Sequence, residues 1–126
     1  MNDAIYCQAM AALFSWSLLA CGAALASQHF PTRPFWRAFW LMTGILGLAE
    51  GLMGVAALLA GPLPPARLAP VLRVKAAFDG LGLAAGAILA TRPSPRHSGC
   101  GLAIVAAELV LLTLDVWFWQ ACESLL

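Results

Sequence analysis

The acidic and basic residues of this chain lie in different kinds of sequence. Four of the six acidic residues fall inside long apolar runs: Glu50, Asp79, Glu108 and Asp115. The seven basic residues lie in or beside the connections between those runs: Arg33, Arg37, Arg67, Arg73, Lys75, Arg92 and Arg96. An ionisable side chain in hydrocarbon costs roughly 2.5–3.5 kcal/mol. A carboxyl lowers that cost by taking up a proton, which an arginine cannot do. The pattern indicates a membrane bundle whose interior can hold protons.

Glu50 is near the middle of the second apolar run, and no basic residue is close to it in sequence. The same helix face carries Thr43, Gly47 and Gly54, so Glu50 would lie among small residues and not among bulky lipid-facing side chains. Without a partner, desolvation favours the neutral acid. Two interpretations stay open for Glu50: a carboxyl that binds a proton or cation at mid-membrane, or a protonated acid that hydrogen-bonds across helices.

Glu108 and Asp115 are seven residues apart in the fourth run, which places them on one helix face two turns apart. The spacing predicts two steps of a proton path, with Glu108 near mid-membrane and Asp115 closer to the interface. The alternative is that Asp115 is partly hydrated and only Glu108 is buried. The candidate proton- or ion-binding residues are thus Glu50, Glu108 and Asp115.

Asp79 has a basic residue one helical turn away, because Lys75 precedes it by four positions. This spacing predicts an intrahelical ion pair with a structural role. Arg73 and Lys75 are expected to lie near the interface and extend toward water.

Glycines form stripes on two of the predicted helices. The glycines of the second run are spaced three, four and three residues apart: Gly44, Gly47, Gly51 and Gly54. The third run has two glycines spaced four residues apart, Gly82 and Gly86. Such stripes let helix backbones approach closely in lipid. We expect both helices to make close contacts through these glycines, within the chain or between copies.

Composition places the chain in the membrane class. Of its 126 residues 62% are hydrophobic and only 10% are charged, whereas a soluble domain carries about 25% charged residues. Four runs each approach or exceed the roughly 20 residues that cross a bilayer, and Pro- and Gly-containing connections separate them. The prediction is a single all-α domain, an integral-membrane, up-down bundle of four transmembrane helices: 4–26, 35–60, 70–91 and 99–120.

Topology is only weakly specified. Four basic residues flank the first and third connections, and three lie on the side of the termini, which favours termini outside the cytoplasm of a cell with an inner membrane. Leu18–Cys21 and Ala24–Ala26 resemble signal-cleavage sites, but the first three residues lack the basic charge of a signal peptide. The first run is therefore interpreted as a retained helix.

Aromatic residues are expected in belts at the two interfaces, with Trp36 and Trp40 at one and Tyr6, Trp117 and Trp119 at the other. The four cysteines contain no CxxC pair. A Cys7–Cys122 disulfide is one possibility and free thiols are the commoner alternative. A metal cluster of His29, His97, Cys21 and Cys100 has local ligand spacing only at His97-x-x-Cys100, so no metal and no cofactor is predicted.

The chain resembles two known families of membrane proteins, in general features only. Small multidrug transporters resemble the chain in length and span number, but their essential glutamate lies in the first span, which is uncharged here. Arg73-Val74-Lys75, Arg92 and Glu108 resemble the pattern of CopD-like copper-resistance membrane proteins. That resemblance would imply copper handling, but the membrane histidines of that family are missing from this chain.

Two functional hypotheses follow from the sequence. The first is a proton-linked transporter or channel that works as an oligomer in the lipid bilayer. The second is a non-catalytic accessory subunit of a larger membrane complex. The chain has no nucleophile–base set or phosphate loop, so an enzyme is not predicted. Its few scattered basic residues do not suggest nucleic acid binding.

Overall fold

The computed structural model describes residues 4–30 and 33–126, and every regular element within them is a helix. There are four: α1 (Ala4–Ser27), α2 (Pro34–Ala60), α3 (Pro65–Ala90) and α4 (Pro95–Ser124). The predicted all-α, four-helix architecture is confirmed. The short connections make successive helices antiparallel.

Three helices begin at a proline. As a result, α3 and α4 start earlier in the chain than the sequence predicted. Pro34, Pro65 and Pro95 open α2, α3 and α4, each after a residue with extended backbone. Proline suits this position because its fixed φ matches the helix and its missing N–H would have had no partner there. We expected α3 to begin at Pro70, but Pro70 lies inside the helix, and α4 begins four residues before the predicted Gly99.

The helices do not pack in chain order. α2 packs against α1 and α4, and α3 packs mainly against α4. Within the part of the chain that the structure describes, the backbones of α2 and α3 make no close contact, although a short loop joins them. The main contacts therefore link the helices in the order α1, α2, α4, α3, and α4 lies between α2 and α3.

The two glycine stripes contact different helices. Those of α2 face α1: a Cβ added at Gly47 would lie 2.6 Å from the Cβ of Ala20, and the Ser17 hydroxyl donates a hydrogen bond of 2.7 Å to the Gly47 carbonyl. Those of α3 face α4, where Gly82 lies against Glu108 and Gly86 against Ile104. The stripes thus bring α2 onto α1 and α3 onto α4. They do not join α2 to α3.

The exterior of the bundle is apolar. Large aliphatic side chains are exposed on several helices, including Leu19 (70%), Leu52 (62%) and Leu81 (67%). A soluble monomer rarely exposes extended apolar surface of this kind. Three helices are long and apolar enough to cross a membrane, namely α1, α2 and α4. The 27 residues of α2 measure roughly 40 Å, so the protein has the features of a membrane protein.

α3 is as long as its neighbours but less apolar. Its last 18 residues include three charged side chains, those of Arg73, Lys75 and Asp79, and α3 is not among the helices apolar enough to cross a membrane. The position of these side chains decides whether α3 is compatible with a membrane interior. Arg73 is exposed at the end of the bundle that holds the termini, whereas Asp79 is buried.

Candidate functional site

Lys75 contacts carboxyl groups from three helices. Its Nζ lies 3.0 Å from Asp115 Oδ2 on α4, 3.4 Å from Glu50 Oε2 on α2 and 3.8 Å from Asp79 Oδ2 on α3 itself. The four side chains are between 7% and 18% exposed. With Glu108, which lies beside Asp79, they form what we call the charge cluster: Glu50, Lys75, Asp79, Glu108 and Asp115.

Asp79 shares the Lys75 ammonium with Asp115 and lines the same cavity as Glu108. A direct contact between two of these carboxyls needs a proton on one of them, because a carboxylate is only an acceptor. Among the described residues, Glu108 Oε2 is a buried oxygen without a hydrogen-bond donor. Glu50 Oε2 and Asp79 Oδ2 have only the Lys75 ammonium beside them, in ion pairs of 3.4 and 3.8 Å that are not hydrogen bonds. A bound proton would supply the missing donor.

The charge balance of the cluster also favours bound protons. The cluster contains one ammonium and four carboxyls, so full ionisation would give a net charge of −3 (one positive and four negative charges). Burying unpaired charge is expensive, and a carboxyl in that position is neutralised by a proton instead. A cluster with this composition can therefore change its charge by taking up or releasing protons.

The structure places all three predicted proton- or ion-binding residues in this one cluster. Glu50, Glu108 and Asp115 come from α2 and α4. Asp115 is buried within the bundle, at 7% exposure. No local pattern indicated a basic partner for Glu50, because Lys75 is 25 residues away in the chain.

Lys75 differs from its expected position. The predicted Lys75–Asp79 pair forms, but Lys75 points into the bundle and does not extend to water. Arg73, two positions earlier, is exposed, contacts Glu123 at 3.3 Å and lies 5.2 Å above the Trp119 ring. The helix face is the physical reason, since two positions turn a side chain by about 200° around α3, which directs Lys75 toward α2 and α4 and leaves Arg73 exposed.

Two cavities reach the cluster. The first, of about 180 Å³, is lined almost entirely by apolar side chains from all four helices, and its charged lining residues are Lys75 and Asp115. The second, of about 400 Å³, lies between α2 and α3, and we call it the α2–α3 opening. It is lined by four members of the cluster and four apolar residues: Glu50, Lys75, Asp79 and Glu108, with Met53, Val71, Val74 and Phe78.

The remaining candidate residues lie apart from the cluster. All four cysteines are free, and Cys21 and Cys100 each point their thiol at a backbone carbonyl of α2. The described residues contain no group of three His, Cys, Asp or Glu side chains arranged for a metal ion. Tyr6 does not lie in an aromatic belt: it is buried and donates a hydrogen bond of 2.9 Å to the Ala57 carbonyl.

No family model, no curated protein and no solved structure matches this chain. The charge cluster and the cavities that reach it are the features of the chain that bear on its function.

Proposed function

We propose that this protein is a multi-pass protein of the plasma (inner) membrane that moves a solute or ion in linkage with protons, and that the charge cluster is its proton-binding site. The observation that carries the proposal is the single buried lysine shared by carboxyls of α2, α3 and α4. A structural ion pair needs one carboxylate for one ammonium. The additional carboxyls give the cluster a capacity for protons that packing does not require.

Lys75 offers a way to link proton binding to helix position. When Asp115 is ionised, Lys75 holds α3 to α4 through the 3.0 Å pair. Protonation of Asp115 removes that attraction and leaves Glu50 of α2 as the stronger partner, at 3.4 Å. Protonation would thus replace the ion pair between α3 and α4 by one between α3 and α2, and this exchange would narrow the α2–α3 opening. A ligand or proton shifts such an equilibrium only by its differential affinity for the two arrangements.

The size of the bundle bears on its assembly. One chain of 126 residues with closely packed glycine-lined helices has little room for a complete solute pathway. We therefore expect a homo-oligomer in the lipid bilayer, with each copy providing one charge cluster. The α2–α3 opening gives each cluster a lateral route to the exterior of the bundle.

The accessory-subunit hypothesis keeps one specific point of support. Glu50, Asp79 and Glu108 line an opening whose rim includes the exposed ring of Phe78. A transmembrane helix of a larger complex, carrying a basic residue at mid-depth, would fit that opening by charge. In that case the carboxyls would remain paired with the partner and would not exchange protons.

Infrared spectroscopy of the purified chain in lipid nanodiscs tests the proposal. Buried protonated carboxyls give a carbonyl band that is separate from the amide bands, and we expect this band to fall as pH rises from mildly acidic to mildly alkaline values. Asp79→Asn should reduce the change, because it removes a buried carboxyl that shares the Lys75 ammonium with Glu50 and Asp115. The control is Glu123→Gln, an exposed acid of α4. A wild-type spectrum without a pH-dependent carboxyl band would overturn the proton-binding function and favour the accessory subunit.

A further inference from the structure

The end of the bundle that holds the first and third connections carries positive charge without its own counter-charge. Its four arginines are Arg33, Arg37, Arg92 and Arg96, and no acidic residue occurs at positions 4–49 or 80–107, which contain both connections. Within the described part of the chain, none of these arginines forms an ion pair. At the opposite end, Arg73 is paired with Glu123. The first end therefore needs anions from outside the chain.

An apolar groove between α1 and α2 runs along the side of the bundle from this end. We call it the α1–α2 groove, and its volume is about 430 Å³. Its floor consists of small residues, since a Cβ added at Gly44 would lie 2.6 Å from the Cβ of Ala24. Its walls are aliphatic side chains that are each more than half exposed: Leu25, Leu41, Ile45 and Leu48. From Leu41 to Leu48 the groove measures about 10 Å, which is two-thirds of the roughly 15 Å of hydrocarbon in one leaflet.

Arg37 joins the positive end to the groove. It precedes Leu41 by four positions and Gly44 by seven, so the three residues share one face of α2. Arg33 lies one turn earlier, where its carbonyl accepts a hydrogen bond from the Arg37 backbone N–H. Gln28, just after the end of α1, lines the same end of the groove. The groove thus has charged and polar donors at its outer end and hydrocarbon along the rest of its length.

We infer that the α1–α2 groove and Arg37 form a binding site for an anionic phospholipid, with one acyl chain in the groove and the phosphate at Arg37 and Arg33. A guanidinium pairs with a phosphate through two parallel hydrogen bonds, and basic residues at the end of a membrane helix attract anionic lipids. The inference goes beyond the proton-linked function and does not depend on it, because the groove shares no lining residue with the two cavities that reach the charge cluster.

Other occupants fit the groove less well. A zwitterionic lipid would bring its own ammonium group beside unpaired arginines. Free phosphate would leave the apolar groove empty. A second copy of the chain, related by a two-fold axis along the membrane normal, would bring its own Arg33 and Arg37 to the same place, and the like charges would repel.

Native mass spectrometry of the full chain in a non-ionic detergent tests the site. Dioleoyl phosphatidylglycerol is compared with dioleoyl phosphatidylcholine, which has the same acyl chains and no net charge. We expect one tightly bound phosphatidylglycerol per chain and weaker retention of phosphatidylcholine. The preference should decline as the ionic strength rises, because salt screens exposed charges.

Arg37→Gln tests the phosphate end of the site. It should lower the affinity for phosphatidylglycerol about fivefold, the effect of one basic residue beside an anionic lipid, and leave phosphatidylcholine binding unchanged. The matched control is Arg67→Gln, an exposed arginine at the opposite end of the bundle, which should bind both lipids like the wild type.

A double variant tests the groove. Leu25→Ala with Ile45→Ala lowers its walls and should weaken binding of both lipids roughly tenfold, because both lose the same apolar contact. Its control is Leu18→Ala with Leu59→Ala, two exposed leucines outside the groove. All four side chains are exposed, so both proteins should fold.

Equal affinity for the two lipids, or a preference that Arg37→Gln and Arg67→Gln change equally, would overturn the lipid site. Complete displacement of the lipid by inorganic phosphate would make it a phosphate site instead. A detergent-stable dimer that excludes the lipid would assign the groove to a second copy. Arg37→Gln should keep the pH-dependent carboxyl band of the wild type, so failure of the lipid site and failure of the proton-linked function give different results.

Discussion

At the scale of residues, the chemistry of Lys75 explains the form of the charge cluster. An ammonium has three N–H donors around one atom, and here it faces three carboxyls from three helices. Its flexible four-carbon stem lets the charge reach past the helix surface. Arg73, on the same helix, forms only an exposed contact with Glu123 and the Trp119 ring. Two basic residues that are two positions apart thus have unrelated environments.

Replacing Lys75 by methionine should destabilise the bundle in a pH-dependent way. Removing one partner of a buried ion pair typically costs about 3–5 kcal/mol, because the other charge stays buried without compensation. The carboxyls of Lys75→Met can relieve that cost by taking up protons. We therefore expect the loss of thermal stability, followed by circular dichroism in detergent, to be large at alkaline pH and to shrink as the pH falls.

The matched control for this experiment is Arg73→Met, which removes a basic residue from the same helix. Exposed ion pairs contribute about 0–1 kcal/mol, so its melting temperature should stay close to that of the wild type at every pH. A Lys75→Met protein that melts like the wild type at alkaline pH would contradict the buried position of Lys75.

At the scale of elements, α4 organises the bundle because it packs against both α2 and α3. Two glycines near its start make this possible. A Cβ at Gly99 would collide with the Phe35 carbonyl oxygen of α2, and a Cβ at Gly101 would collide with the Ala90 backbone of α3. Side chains can move to accommodate a methyl group, but helix backbones move only if the whole contact shifts. These two contacts set the separation of α4 from its neighbours, and so the distances within the charge cluster.

Gly101→Ala should therefore destabilise the protein although alanine favours helices. Overpacking typically costs about 1–3 kcal/mol, against a gain of up to about 1 kcal/mol in helix propensity. The control is Gly22→Ala in α1, where the added methyl group meets nothing within 4 Å, so only the propensity gain remains. Thermal unfolding should show a lower melting temperature for Gly101→Ala and an unchanged or higher one for Gly22→Ala. The opposite order would contradict the close α3–α4 contact.

At the scale of the whole molecule, charge lies inside and at the two ends, and hydrocarbon covers the sides. Lys75 points into the bundle, so it does not count toward either end. The end that holds the first and third connections has four basic residues: Arg33, Arg37, Arg92 and Arg96. The end that holds the termini has two, Arg67 and Arg73. Because the positive-inside rule counts charges near the ends of the spans, a difference of four to two predicts one orientation more strongly than the four-to-three count from the sequence.

We therefore expect both termini to lie outside the cytoplasm. Alkaline phosphatase, which folds only outside the cytoplasm, should be active when fused after Leu126 and inactive when inserted at Pro93 in the third connection. Changing Arg33, Arg37, Arg92 and Arg96 together to glutamine should weaken or reverse this preference. An inactive fusion at Leu126 in the unchanged chain would contradict the orientation.

The sequence by itself determined the four-helix architecture and which charged residues lie inside apolar helices. Four apolar runs separated by prolines specify four helices, because run length and helix-breaking residues are local properties of the chain. The same holds for the Lys75–Asp79 pair, which depends only on the spacing of four within one helix. Glu50, Glu108 and Asp115 could be selected as candidates because a carboxyl in an apolar run is expensive wherever the helices are placed.

Only the tertiary structure decided which helices meet and therefore what the charged groups do. The glycine stripes of α2 and α3 look alike in sequence, yet one contacts α1 and the other α4, because pairing depends on the shape of the opposite surface. The partner of Glu50 could not be found locally, since Lys75 reaches it across the α2–α3 opening. The cluster exists because α4 places Asp115 and Glu108 beside α3 while α2 stays within reach of one flexible lysine, and such an arrangement is a property of three helices together.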